Sequence, residues 1–378
     1  MTPVLSAKRT IGLHPDGSNN VLVLDQRKLP HVVSTVELAS LDEVVWAIKD
    51  MVVRGAPLIA ATAAYGIYFA CREALTAKKP EISIDRAIEK LRHSRPTAVN
   101  LFWAIERMKK AIAGSDDLLE KAAIAFSMAN EIVEEDVDVC RKIGLQGLPL
   151  LQVLSRKKGG AVVNVLTHCN AGRLGCIEWG TVTSPLYQAV QKGIDIHVWV
   201  DETRPRNQGA SLTAWELLEA NVPHTVVVDN AGGHLMQHGK VDMVIVGTDR
   251  VTRTGDVANK IGTYLKALAA KDNDVPFYVA LPSTTIDWAL RDGLSEIPIE
   301  ERSPDEIKYV QGWDGTKLQK VLVTPADSPA CNYGFDITPS RLVTGLITER
   351  GICKASEAGL LKLFPEKYIP ASPVPFVH

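Results

Sequence analysis

The stretch Ala161-Val162-Val163-Asn164-Val165-Leu166-Thr167-His168-Cys169-Asn170-Ala171-Gly172 decides the fold. It opens on a short run rich in Val, too brief and too uniformly apolar for a sheet wetted on one face. Such a run fits a strand buried on both faces of a parallel sheet. The residues after it are polar or small, as at the carboxyl end of a strand that meets a ligand. Four more runs of this kind follow, at Ile194–Val200, His224–Val228, Val241–Val246 and Pro276–Leu281. Helical patterns lie between them, most clearly Thr181–Gln191, Ser211–Ala220 and Asn259–Ala270. The alternation predicts βαβ units, and so an α/β fold with a C-terminal doubly wound, Rossmann-like, mostly parallel sheet.

Upstream the rhythm differs. The turn pairs Asp16-Gly17 and Asn19-Asn20 predict a small hairpin around Val21–Leu24. Leu41–Ile48 carries acids in its first turn, as a helix start prefers, and Ala98–Ala113 and Leu118–Val139 are long helical patterns. A smaller N-terminal hairpin-plus-helical domain over residues 1–145 and a Rossmann-like catalytic domain over 146–378 are expected. Gly144–Gly160, rich in Gly, Lys and Arg, is read as the boundary. The longest uncharged stretch, Ala56–Cys71, falls short of the ~20 residues of a spanning helix and reads as a buried helix, so no membrane partner is expected.

The 378 residues carry 42 Lys plus Arg against 44 Asp plus Glu, a net charge of −2. That balance argues against a bulk electrostatic nucleic-acid binder, which shows a basic face. The six cysteines are widely spaced without a C-x-x-C pair, so neither a disulfide framework nor a structural zinc site is expected. The first residues lack the apolar core of a signal peptide, and a reducing cytoplasm is the expected compartment.

Past each strand the loops are polar: His168-Cys169-Asn170, Asp201-Glu202-Thr203-Arg204-Pro205, Asp229-Asn230, Gly247-Thr248-Asp249-Arg250 and Ser283-Thr284-Thr285. Taken singly, Asp and Gly there are helix caps and turn formers. Together they form a rim for a small polar substrate. The loop after the first strand does not spell the dinucleotide fingerprint G-x-G-x-x-G, and no P-loop occurs. Three cations instead stand near expected helix starts: Arg54 before Gly55-Ala56-Pro57, Arg95 before Pro96-Thr97, and Lys260 after Asn259. Converging, they would clamp a phosphate.

These residues resemble the methylthioribose-1-phosphate isomerase family. The resemblance rests on Val53-Arg54-Gly55-Ala56-Pro57, Ser94-Arg95-Pro96-Thr97, Leu166 to Gly172, Asp201 to Pro205 with Gln208-Gly209-Ala210, Gly247-Thr248-Asp249-Arg250, Asn259-Lys260-Ile261-Gly262 and Phe335-Asp336-Ile337-Thr338-Pro339, in order along most of the chain. It implies a two-domain homodimer without metal or organic cofactor that converts 5-methylthioribose 1-phosphate into 5-methylthioribulose 1-phosphate in methionine salvage. It implies Cys169 and Asp249 as the catalytic pair, and Arg54, Gly55, Ala56, Arg95, Gln208, Asn259 and Lys260 as substrate-binding positions. The wider superfamily also holds ribose-1,5-bisphosphate isomerases and non-catalytic regulatory subunits of the translation initiation factor 2B complex. Retention of both Cys169 and Asp249 separates this chain from the latter.

In such a substrate the anomeric oxygen carries phosphate, so no free aldehyde forms. An acid must protonate the ring oxygen, and hydrogen must pass from C2 to C1. Asp249 is the expected donor and Cys169 the group on the C2 side, its acidity expected to rise at a strand-to-helix junction. The chain departs from the family pattern at Arg173 to Gly180 and at Thr248. The first departure points to a broadened preference that takes in 5-deoxyribose 1-phosphate. His168 reads as a packed core group, and His234 and His238 as polar lining or surface. Asp201 reads as a cap for the Arg204-Pro205 loop, the acids from Glu131 to Asp138 as a solvated face, and the cysteines other than Cys169 as structural.

Overall fold

The structure, a computed structural model, describes residues 9–78, 80–95 and 98–368. The chain opens with a three-stranded antiparallel meander of β1 (Ile11–Leu13), β2 (Val21–Leu24) and β3 (Thr35–Leu38). Four helices follow: α1 (Leu41–Lys49), α2 (Ala56–Ala74), α3 (Pro80–Arg92) and α4 (Val99–Ile112). Ser40 caps α1 by accepting from the Glu43 N–H. Helix α2 is sheathed almost completely by its neighbours, and its many alanines let them approach closely. Among the described residues no helix is long and apolar enough to cross a membrane.

Helix α5 (Leu118–Lys157) runs through most of Gly144–Gly160, the stretch read as the domain boundary. Ala125 to Val133 pack into the core around α2, whereas Ile143 to Leu151 pack into a core shared with the parallel sheet. Gly144 and Gly147 of that stretch serve close packing against α6 (Thr183–Gln191). A Cβ at Gly144 would lie 2.2 Å from the Ser184 hydroxyl, and one at Gly147 would lie 2.9 Å from Pro185 Cβ. We therefore propose that the division near residue 145 is a change of packing partner along one helix.

The large sheet has seven strands: β4 (Val163–Thr167), β5 (Ile196–Asp201), β6 (His224–Val227), β7 (Met243–Val246), β10 (Phe277–Ala280), β17 (Gly345–Thr348) and β18 (Gly351–Cys353). Its order is β18-β17-β10-β7-β4-β5-β6, parallel except for β18. From β6 to β17 this is the Rossmann order 3-2-1-4-5-6. Five of these strands are legible in the sequence and β17 and β18 are not. Strand β6, expected to be buried on both faces, is instead an edge strand whose central Thr225 and Val226 are exposed, because it lies at the end of the sheet order. Crossovers run through α6, α7 (Ala214–Glu219), α8 (Ala231–Gln237) and α9 (Thr263–Asp272). The chain turns from one direction of growth to the other between β4 and β7, and the crevice beyond their carboxyl ends is where such sheets bind ligands.

Smaller strands dress that crevice. The connection from β7 to α9 forms β8 (Arg250–Thr252) and β9 (Val257–Lys260), which join β11 (Ile286–Asp287) and β16 (Phe335–Thr338) in a second sheet of order β11-β8-β9-β16. Asn259 and Lys260 thus lie at the end of a strand, not at a helix start, and α9 begins at Thr263. Their pairing with β16 overrode the local helical pattern. The pair β12 (Glu301–Arg302) and β15 (Asn332–Tyr333) and the hairpin β13 (Tyr309–Trp313) with β14 (Leu318–Leu322) complete the rim.

Candidate active site

Cys169 follows β4, and Asp249 follows β7, the two strands flanking the switch point. The strand ends are drawn close: a Cβ on Gly247 would lie 2.4 Å from Ala171 Cβ. Cys169 has a positive φ of 67°, a conformation that a side-chain-bearing residue rarely adopts. It is held there from both sides. Its N–H donates to Thr203 Oγ1 at 2.9 Å, and its carbonyl accepts from Thr213 Oγ1 at 2.7 Å. The Asp249 N–H donates to the Ala258 carbonyl at 3.0 Å. Thr248 donates from Oγ1 to the same carbonyl at 2.7 Å and tightens the turn.

A cavity of about 510 Å³ opens here. Its walls include Arg54, Gly55, Ala56, Arg95, Cys169, Gln208, Asp249, Asn259 and Lys260, so all nine residues singled out from the sequence meet in one space. Arg54 comes from the loop before α2 and donates from Nη2 to the Asn170 carbonyl at 2.8 Å; its Nη1 reaches Asn170 Oδ1. Gly55 has φ +93°, and a Cβ there would stand 2.4 Å from Gly175 Cα. Arg95 precedes α4 with its side chain only 15% exposed, 3.8 Å from Glu300. Pro96 and Thr97 lie outside the described residues. Lys260 Nζ donates to the Gly334 carbonyl at 2.9 Å and sits 4.6 Å from the centre of the Phe335 ring. Asn259 Nδ2 donates to Thr263 Oγ1 at 3.0 Å. Gln208 stands before a single turn of π-helix, Gly209–Thr213, and its buried Oε1 has no protein partner.

The electrostatics are mutual. Burial pushes the Asp249 carboxyl above its ordinary range, although Lys260, Arg54 and Arg95 pull it down. Burial also raises the Cys169 thiol, against the pull of Arg54 and Lys260. The expected lowering at a helix start is therefore corrected: α6 begins only at Thr183, and desolvation outweighs the cations. Burial lowers Lys260 and Arg95 in turn. A carboxyl that keeps its proton can act as a general acid near neutrality.

His168 is packed beneath Cys169, with Nδ1 2.9 Å from Asp201 Oδ2 and Nε2 donating to the Ile261 carbonyl at 2.8 Å. Asp201 does not cap the Arg204-Pro205 loop. Its side chain turns inward to His168 and Lys266, and Asp229 accepts the Thr203 and Arg204 N–H groups at 2.7 Å each. His234 and His238 face solvent beside each other at α8, their tilted rings 4.2 Å apart. In the acidic run, Glu131 and Glu135 pair with Arg107, but Asp136 turns inward. Arg173 lies 5.1 Å from the Trp215 ring centre, whereas Gly175 and Cys176 of the same loop reach the cavity.

Residues that the strand-end rule missed come from afar. Asn170 is itself in a strand-end loop, but nothing local marks its bond to Arg54. The segment from Gln26 to His31 and the hairpin β13–β14 close the mouth, joined by the His31–Trp313 ring stack at 5.6 Å and by Gln311 Nε2 donating to the Arg27 carbonyl at 2.9 Å. No local pattern marks them.

A partly buried acid and a buried thiol among three cations, at the switch point of a Rossmann-ordered sheet, define the class: an α/β enzyme working at the carboxyl ends of its strands. Residues 52–355 match the Initiation factor 2 subunit family. A methylthioribose-1-phosphate isomerase of Desulfatibacillum aliphaticivorans is 57% identical over 359 residues, 95% of this chain and 97% of the relative. One of Brucella anthropi is 56% identical over 362 residues, again 95% and 97%. The crystal structure of 5-methylthioribose 1-phosphate isomerase from Pyrococcus horikoshii superposes with a TM-score of 0.81 at 37% identity, covering 96% of this chain and 97% of that one. The translation initiation factor eIF-2B subunit delta from A. fulgidus gives 0.77, also at 37% identity, covering 95% and 100%. The chain belongs to the Initiation factor 2 subunit family and, within it, to the methylthioribose-1-phosphate isomerases.

Proposed function

We propose that the protein isomerises 5-methylthioribose 1-phosphate to 5-methylthioribulose 1-phosphate, a step of methionine salvage. The observation that carries this reading is the convergence of Arg54, Arg95 and Lys260 around Cys169 and Asp249 in one cavity. The cations and the Gln208 side chain hold the phosphate and sugar hydroxyls. Asp249 gives its proton to the ring oxygen, the C1–O bond to that oxygen breaks, and the phosphate stays on its own oxygen. The hydrogen on C2 then passes to C1 with its electron pair, C2 becomes a carbonyl, and the C2 hydroxyl proton returns to Asp249. A thiol that burial keeps protonated offers no thiolate to abstract a proton, which supports this direct shift over proton abstraction. Cys169 orients and stabilises the C2 side. The hydrogen moves within one molecule, so the reaction needs no outside hydride acceptor.

Cytoplasmic residence and a homodimer complete the proposal. Ribose-1,5-bisphosphate isomerisation and a non-catalytic regulatory role are not favoured, since relatives more than half identical over nearly the whole chain carry the isomerase name. The test is kcat/KM for methylthioribose 1-phosphate, 5-deoxyribose 1-phosphate and ribose 1,5-bisphosphate on the purified protein. A preference for the first two is expected, and a preference for the bisphosphate overturns the reading. Substrate deuterated at C2 is expected to keep its label at C1; exchange with solvent overturns the direct shift.

A further inference from the structure

We propose that Asp136, Cys140 and Cys176 form a site for one thiophilic divalent cation of the zinc or cadmium type, reached from the cavity wall. Asp136 and Cys140 stand at i and i+4 on α5 and so share one face. Cys176 ends the short helical turn Arg173–Gly175 and faces them. One donor atom from each lies within 4.8 Å of the other two. Both cysteines are buried, at 0% and 2% exposure. Zinc sits about 2.3 Å from sulfur and about 2 Å from oxygen, so a small rotation of these side chains closes them on an ion.

The scaffold is already rigid. The Ile177 N–H donates to Asp136 Oδ2 at 3.1 Å, and Thr10 Oγ1 donates to the Cys176 carbonyl at 2.6 Å. Two thiolates and a carboxylate select a borderline or soft ion over magnesium or calcium. Binding releases the protons of both thiols. Cys176 also lines the cavity, and a water entering from that side would complete a four-coordinate set. Sequence spacing gives no sign of the site, because 35 residues lie between Cys140 and Cys176 and only the fold joins them.

The test uses the full chain carrying Cys169→Ser and Cys331→Ser, freed of metal and reduced with a phosphine, and titrated with cadmium while thiolate-to-cadmium absorption is read. One saturable equivalent per chain is expected, unaffected by excess magnesium, lost in Cys140→Ala and in Cys176→Ala and weakened in Asp136→Asn. No absorption, or absorption that survives both cysteine replacements, overturns the site. Should those variants not fold, cadmium K-edge scattering of the parent chain decides: two sulfur neighbours support the site, and fewer overturn it.

Discussion

Arg54 reaches from the start of α2 to the loop beyond β4 and donates from Nη2 to the carbonyl of Asn170 at 2.8 Å, across 116 residues of sequence. The bond ties the helical N-terminal part to the strand end that bears Cys169. Asn170 is itself fixed from behind, its Nδ2 donating to Thr213 Oγ1 at 3.1 Å and to the buried Glu216.

Arg54→Ala removes a cation from the proposed phosphate site together with this brace. Hydrogen bonds to charged groups contribute about 1.5–3 kcal/mol, so KM is expected to rise by roughly one to two orders of magnitude. Steady-state kinetics on the phosphorylated substrate checks this, and an unchanged KM places the phosphate elsewhere.

Asp249→Asn and Cys169→Ser are each expected to lower kcat by about 10²-fold or more, the scale of a lost acid or base. Neither change alters side-chain volume much, so thermal melting should barely move. Near-normal turnover in the serine variant removes Cys169 from the mechanism.

The acid role of Asp249 has a pH signature. Burial raises its carboxyl, and the neighbouring Glu300 charge raises it further. A donor must be protonated, so kcat/KM falls as pH climbs through this group. Glu300→Gln removes a like charge and lowers the Asp249 pKa, which moves that descending limb to lower pH. A limb that stays in place separates Glu300 from Asp249.

Gly55→Ala meets two obstacles, the positive φ and the Gly175 backbone 2.4 Å away. Backbone strain of this kind costs about 1–3 kcal/mol, and the overlap adds to it. Gly17→Ala is the control: its φ is +80°, but nothing lies within 4 Å of the added Cβ. In denaturant titrations the Gly55 variant is expected to lose clearly more stability than the Gly17 variant.

Glu306 predicts an acid-sensitive contribution to stability. Burial opposes its ionisation, but Arg302, Arg206 and Asn332 outweigh that and hold it down at about 2. The folded value lies below the ordinary 4.5, so the contribution is present above that value and is lost as pH falls toward about 2. Glu306→Gln is expected to flatten the melting temperature across this window. A slope identical to that of the parent protein counts against the pairing.

Much was legible from residue order alone. The short apolar runs at β4, β5, β7 and β10 announced buried parallel strands, because double-sided burial is written into each run. The loops behind them exposed Cys169 and Asp249, because ligands meet such sheets at their carboxyl ends. The motif pattern then singled out Arg54, Gly55, Ala56, Arg95, Gln208, Asn259 and Lys260. Only the tertiary structure decided that β4 and β7 are neighbours, which brings Cys169 and Asp249 to one crevice. It alone moved Asn259 and Lys260 from a helix start to the end of β9, revealed the glycines of α5 as packing contacts, and gave Asn170 its hold on Arg54. The physical reason is common to all of these. Local periodicity records which face of an element is buried, whereas strand order, close approach and long-range hydrogen bonds depend on which elements meet, and no single run of sequence encodes that.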